Sequence, residues 1–343
     1  MCLYPKLIEN RKYKPNKKNG GQPPPIKDIR TNFVPIGCGK CMECRKQKSM
    51  KWSIRLQEEI RTDKTGEFVT LSFSDEQLNE LDKEVQRLNR DIHNKLNSET
   101  GKRTKFIEIT GYELENEIAK LAVRRFLERW RKIHKTSIKH WLVTELGHVA
   151  TERIHIHGLI FGNPNEIRKL WKYGNIWIGD YVNESTINYI VKYIYKTDKD
   201  HKYYSPVILT SAGIGSNYIN RLDSKTNKFK GEDTKDTYTT RQGVKIALPE
   251  YYKYKIYSEQ EKEQLWLQTL NKEVRYINGL KIDISNGDEE YQTILKEAQK
   301  LNTILGYGDD KINYNEKAYE QQRRNIQRYT RKQKEFNKGK GID

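Results

Sequence analysis

Apolar residues in this chain recur with two periods, and the switches between them mark out successive elements. Phe68-Val69-Thr70-Leu71-Ser72-Phe73 alternates and is rich in β-branched and aromatic residues, the pattern of a strand. Leu78, Leu81, Val85, Leu88, Ile92 and Leu96 then fall at helical spacing and predict one long helix over residues 75–96. Its stripe is expected to pack within the molecule, with a partner helix as the other use for it. A second amphipathic helix is predicted over residues 113–134 from Leu114, Ile118, Leu121, Phe126, Trp130 and Ile133. Alternation returns at residues 139–145 and again at 153–161, and the short polar connector 147–152 between them suggests a β-hairpin. A short helix at 165–173, a strand at 175–178 and a helix over 184–196 follow.

Such an order implies an α+β domain, an antiparallel sheet with helices on one face. Outside it the pattern weakens. Residues 10–35 are rich in Lys, Asn, Gly and Pro and read as an irregular arm, and residues 222–242 read as a loop. Beyond Lys255 come helices, an acidic break at 286–290 and a basic tail expected to be disordered. The expected division is a basic, Cys-rich arm with its leading helix (1–64), a sheet domain (65–255) and a helical, basic C-terminal extension (256–343).

Charge sharpens this picture. The net charge is +18, with 16 Lys/Arg against 6 Asp/Glu in residues 1–64 and 10 against 4 from 311 onward. Basic ends around a nearly neutral body suit a polyanion. Absence of a long apolar run or signal peptide points to a soluble, intracellular protein without a membrane partner. The four cysteines, Cys2, Cys38, Cys41 and Cys44, make a poor disulfide framework in a chain of 343 residues. They could close a tetrahedral structural Zn²⁺ site, with a histidine as another possible fourth ligand. Lys46, Lys48 and Lys51 with Trp52 follow on a basic helix suited to nucleic acid.

The candidate chemistry sits in the hairpin and the last helix. His155 and His157 share one face of their strand, and Glu145 ends the strand before it. Two imidazoles and a carboxylate suit Mg²⁺ or Mn²⁺ acting as a Lewis acid, and Zn²⁺ fits the donors as well. On the helix, Ile187, Ile190, Val191 and Ile194 form the inward stripe, and Tyr189, Lys192, Tyr193 and Lys196 the opposite one. A phenol is a poor nucleophile until lysines or a polarised electrophile assist it.

Glu145, His155-Ile156-His157 and Tyr189-Ile190-Val191-Lys192-Tyr193, in that order, resemble the two-tyrosine form of the HUH endonuclease superfamily. Within it the chain most resembles the replication initiators of microviruses, the gokushovirus branch in particular. Met1-Cys2-Leu3-Tyr4-Pro5, Cys38-Gly39-Lys40-Cys41-Met42-Glu43-Cys44, Gly213-Ile214-Gly215 and Leu248-Pro249-Glu250-Tyr251-Tyr252 fit that branch, so the resemblance spans roughly residues 1–255. It implies that Thr70 and Ser72 face the site, and that Glu145, His155 and His157 hold the ion. It implies further that Tyr189 or Tyr193, aided by Lys192, attacks DNA to leave a 5′-phosphotyrosine and a free 3′-hydroxyl. Lys46, Lys48, Lys51 and Lys196 would bind the strand. The implied function is rolling-circle replication of a small single-stranded DNA phage genome, in the host cytoplasm, with a single-stranded origin, host polymerase and helicase as partners. Two other functions fit the residues: a zinc-stabilised, non-catalytic nucleic-acid-binding regulator, and a relaxase or transposase of the same superfamily.

Overall fold

A computed structural model describes residues 2–148, 152–179, 181–198, 200–201 and 203–307, together with 324, 328, 332, 335, 338 and 339. Most of the basic tail and connector residues 149–151 thus lie outside the described residues. In chain order the elements are β1 (Lys6–Glu9), β2 (Phe33–Ile36), α1 (Met42–Thr62), β3 (Gly66–Leu71), α2 (Asp75–Thr100) and α3 (Gly111–His134). Next come β4 (Lys139–Leu146), β5 (Ile154–Phe161), α4 (Pro164–Leu170), β6 (Ile176–Ile178), α5 (Glu184–Tyr195) and β7 (Ile208–Thr210). The remainder are α6 (Leu222–Lys225), β8 (Thr237–Thr239), β9 (Lys245–Ala247), α7 (Glu250–Ile256), α8 (Glu259–Asn271), β10 (Val274–Ile277), β11 (Leu280–Asp283) and α9 (Glu289–Ile304). They form two compact units, residues 1–58 with 215–309, and residues 59–214 with 310–343.

The second unit is an α+β fold around a five-stranded antiparallel sheet in the order β6-β3-β5-β4-β7. β4 and β5 pair along their whole length, so the expected hairpin partners do meet. Pleating divides their side chains. Val69, Leu71, Leu142, Leu146, Ile154, Ile156 and Ile160 bury on one face with Leu78, Leu81 and Val85 of α2 and Leu114, Ile118, Phe126 and Trp130 of α3. The histidines take the other face, and α5 lies there. Gly158 follows them because β4 comes so close: a Cβ on it would stand 2.1 Å from the Trp141 carbonyl oxygen.

Ser74 caps α2 by accepting from the Gln77 N–H, and Gly101 ends it in the left-handed region. The helix outruns its core, however. Ile92 and Leu96 are 60% and 53% exposed, so the predicted stripe is buried only through its N-terminal half. Ile133 of α3, expected inside, is also exposed, since it lies in the last turn beyond the sheet.

In the first unit the arm is built on a strand pair, β1 with β2, and the irregular stretch is the loop those strands close. The expected loop 222–242 is likewise held together. Buried Asn227 donates to the Lys235 and Thr237 carbonyls and accepts from the Tyr218 hydroxyl at 2.6 Å. Tyr218, Tyr238, Leu248, Tyr252 and Tyr257 form a core with Ile54. Gly215 packs closely on α1: a Cβ there would lie 2.5 Å from the Arg55 carbonyl oxygen. Past Lys255 the expected helices α8 and α9 are present, with the hairpin β10–β11 between them.

Candidate active site

Register builds the site. Glu145 stands opposite His155, and Thr70 and Val143 flank His157 on the two neighbouring strands. The His157 ring is held on both sides: Nε2 is 3.0 Å from Glu145 Oε2 and Nδ1 is 3.0 Å from Thr70 Oγ1. A hydroxyl can donate or accept, so Thr70 serves either tautomer. The His155 ring hydrogen-bonds the Arg153 backbone, and burial, with the neighbouring His157, pushes its pKa down and keeps it neutral. The two imidazoles lie 6.4 Å apart at an interplanar angle of 22°.

Above them, the apolar stripe of α5 is buried and turns its other side to the histidines. Tyr193 stacks on His157, with ring centroids 4.6 Å apart and planes within 10°. Its hydroxyl donates to the Tyr189 oxygen at 2.6 Å. Burial raises the Tyr193 pKa far above the usual phenol range, and the Tyr189 hydrogen bond and the charge of Glu145 add to it. Tyr189 is 49% exposed, open to a substrate. Lys196 Nζ is 3.9 Å from Glu145 Oε1, and Lys192 and Tyr195 of the same helix are exposed. A cavity of about 310 Å³ opens beside His155, lined by Ser72, Arg153 and Asn175 among others. Glu145, His155, His157, Tyr189, Tyr193, Thr70 and Lys196 therefore gather on one sheet face. Lys46, Lys48 and Lys51 belong to α1 in the other unit, where burial and Arg45 push the Lys48 pKa down and Lys51 faces Glu250.

Among the described residues, two sets of candidate metal-ligand atoms lie within 4.8 Å of one another: the four cysteines, and His148, Asp198 and His201. Glu145, His155 and His157 are not so tightly drawn. Backbone N–H groups of Tyr4, Cys38 and Cys41 point at Cys2 or Cys38 Sγ at 3.2–3.3 Å. Hydrogen bonding from Cys44 and from backbone groups lowers the Cys41 pKa to about 5, despite burial. Four sulfurs so arranged can hold a metal ion.

The second set lay unnoticed in the sequence. His201 is fully buried, with Nδ1 2.6 Å from Asp198 Oδ2 and Nε2 2.9 Å from Glu152 Oε2. His148 faces Asp198 and Asp200 at 3.4 and 3.2 Å. The signal was present, in His148 of the hairpin connector and in Asp198-Lys199-Asp200-His201 just after α5.

Residues 109–198, from the start of α3 past the tyrosine helix, match the family model of the ORF2-type replication-associated proteins. The match contains Glu145, both histidines and both tyrosines. At 26% identity over 268 residues, the chain is similar to the replication-associated protein ORF2 of Spiroplasma virus 4, covering 69% of this chain and 73% of that relative. It is also 26% identical over 203 residues to the replication-associated protein VP4 of Bdellovibrio phage phiMH2K, covering 55% and 59%. Both relatives come from microviruses. No solved structure matches. Among the described residues, no helix is long and apolar enough to cross a membrane.

Proposed function

We propose that the chain is a replication initiator that nicks and rejoins single-stranded DNA through a phosphotyrosine link. The observation that supports this best is Tyr193, stacked on His157 with its hydroxyl on Tyr189. Two hydroxyl nucleophiles and a metal-type donor set then share one surface. Glu145, His155 and His157 fit a divalent ion by their chemistry. Each imidazole has a second partner, the Arg153 backbone or Thr70, which orients the ring as ligating histidines require. When bound, Mg²⁺ or Mn²⁺ polarises the scissile phosphate and offsets its developing charge.

The chain's own residues place the nucleophile. As a tyrosine oxygen bonds phosphorus, the P–O3′ bond breaks, and the departing 3′ oxygen takes up a proton to become a free hydroxyl. The proton of an attacking Tyr193 leaves along its hydrogen bond, with Tyr189 passing its own to water. Lys192 and Lys196 stabilise phenolate or phosphate charge. The link conserves the phosphodiester, so the reverse reaction joins ends without ATP, and the second tyrosine permits a second cut. That cycle suits rolling-circle copying by a host polymerase and helicase. The cysteines hold a structural Zn²⁺, and Lys46, Lys48, Lys51 and Lys196 bind the DNA backbone.

The test uses labelled single-stranded oligonucleotides tiling the genome that encodes the chain, incubated with Mn²⁺. A covalent adduct on one of them is expected. Retarded complexes without any adduct would replace the enzyme with a DNA-binding regulator.

A further inference from the structure

The row of side chains through the histidines continues to the sheet edge and ends on an exposed indole. Trp177 of β6 is the register partner of Thr70, which is the partner of His157. Aligned partners share a face, and two strand spacings put Trp177 about 10 Å from His157. Its neighbours Ile176 and Ile178 pack against the opposite, helix-covered face. Trp177 is nevertheless 57% exposed.

Exposure here does not mean looseness. A Cβ on Gly179 would stand 3.0 Å from Trp177 Cη2 and 3.4 Å from Cζ3, so the indole lies folded against that glycine. On its other side it meets the edge of Phe68, centroids 5.5 Å apart at 78°. Phe68 in turn meets Tyr189 at 6.1 Å and 85°. One buried ring thus braces both the candidate nucleophile and the open indole. Holding the side chain in one orientation while leaving over half of it in water serves an incoming flat partner, since ordering entropy is then already spent.

We propose that Trp177 is a stacking subsite for a nucleobase of single-stranded DNA beside the scissile phosphate. The inference rests on the nicking function proposed above and adds a position to it. A base of any identity offers a π-face, and in a duplex those faces are covered, so the platform selects unpaired strands. The net charge of +18 draws in the strand, and the indole sets the register of the backbone over Tyr189 and His157.

Binding of the nicked oligonucleotide to the full chain, read by fluorescence anisotropy without Mn²⁺, tests this independently of cleavage. Trp177→Ala is expected to weaken binding about 5- to 100-fold, with Trp177→Phe recovering most of the loss. Removing single bases from the oligonucleotide should weaken binding to the unaltered chain at one position next to the nick. At that position Trp177→Ala should show no further loss. Equal affinity of Trp177→Ala, or losses that remain additive at every position, would overturn the subsite. Absence of any covalent adduct from the unaltered chain would instead overturn the nicking function and leave this binding result to stand or fall alone.

Discussion

Tyr193 is a phenol held protonated, and its surroundings say what attack requires. Burial, the hydrogen bond with Tyr189 and the carboxylate of Glu145 all work against its phenolate. Glu145 also faces His157 and Lys196, so under the proposed mechanism positive charge gathered on that carboxylate would ease loss of the phenol proton. His155→Ala together with His157→Ala should therefore cut adduct formation by roughly 100-fold or more. Filter binding should change little, because the affinity is expected to come from the lysines and arginines rather than from the two imidazoles. Wild-type cleavage by that pair would remove the metal assignment. The tyrosines call for a separate measurement. Tyr189 and Tyr193 are one helical turn apart and share a hydrogen bond, so each single Phe variant should keep one class of cut. The double variant has no phenol at the site and should give no adduct. Peptide mapping decides: a phosphotyrosine at Tyr195 would show that the wrong face of the helix was chosen.

At the scale of elements, what could be read from the sequence follows from how well each period matched one surface. α5 and the first half of β5 were legible because their apolar positions are buried on one side, with His155, His157 and the tyrosine pair out of phase with that burial. β4, by contrast, is buried on both faces over residues 140–144 and was legible from its β-branched and aromatic content. The end of α2 was not legible in the same way, because Ile92 and Leu96 continue the stripe after the core stops. The β10–β11 hairpin went unread although Asn278-Gly279 was a strong turn signal, with φ of 52° and 88°. Sheet order depends on contacts distant in sequence, and nothing in the local pattern of β6 or β7 announces an edge. Most informative is the segment after α5, whose His201 ties it to Glu152 at the start of β5. Burial disfavours the imidazolium, but the hydrogen bonds its ring donates to Asp198 and Glu152 outweigh it and raise the His201 pKa. A raised native pKa contributes stability that is complete below the unfolded value near 6.5 and fades as pH climbs through the folded one. His201→Gln should hence lower the melting temperature more at pH 6 than at pH 9. An equal loss at both pH values would mean that the pair is held by packing alone.

For the whole molecule, the sum of charge conceals how differently its cations are used. The C-terminal segment reads as a basic arm, yet Arg324 and Arg328 are buried in the sheet unit. Arg324 pairs with Glu115 at 2.9 Å and Arg328 with Asp82 at 2.6 Å. Removing one member of such a pair strands a buried charge, so the structure assigns these arginines a role in folding. The N-terminal residues are tied down in the same spirit. Leu3 and Cys41 share a core with Ile277 and Ile282 of the β10–β11 hairpin and Ala298 of α9, and Cys2, Cys38 and Cys44 pack around it. Met42 N–H donates to Asn302 and Gln299 to the Leu3 carbonyl, at 2.8 and 2.7 Å. That core is small, and four sulfurs at its rim are the kind of centre that compensates for limited burial. Protein purified without chelator should accordingly carry about one zinc per chain, measured by elemental analysis. Stripping it, or Cys41→Ser, should then speed amide exchange in residues 2–44 and 274–304 and leave β4 and β5 protected, since the sheet unit has a core of its own. Less than about a tenth of an equivalent of zinc, with all four thiols freely reactive, would make the cluster a set of reduced cysteines. Uniform loss of protection on stripping would mean instead that the sheet cannot hold without the cysteine core.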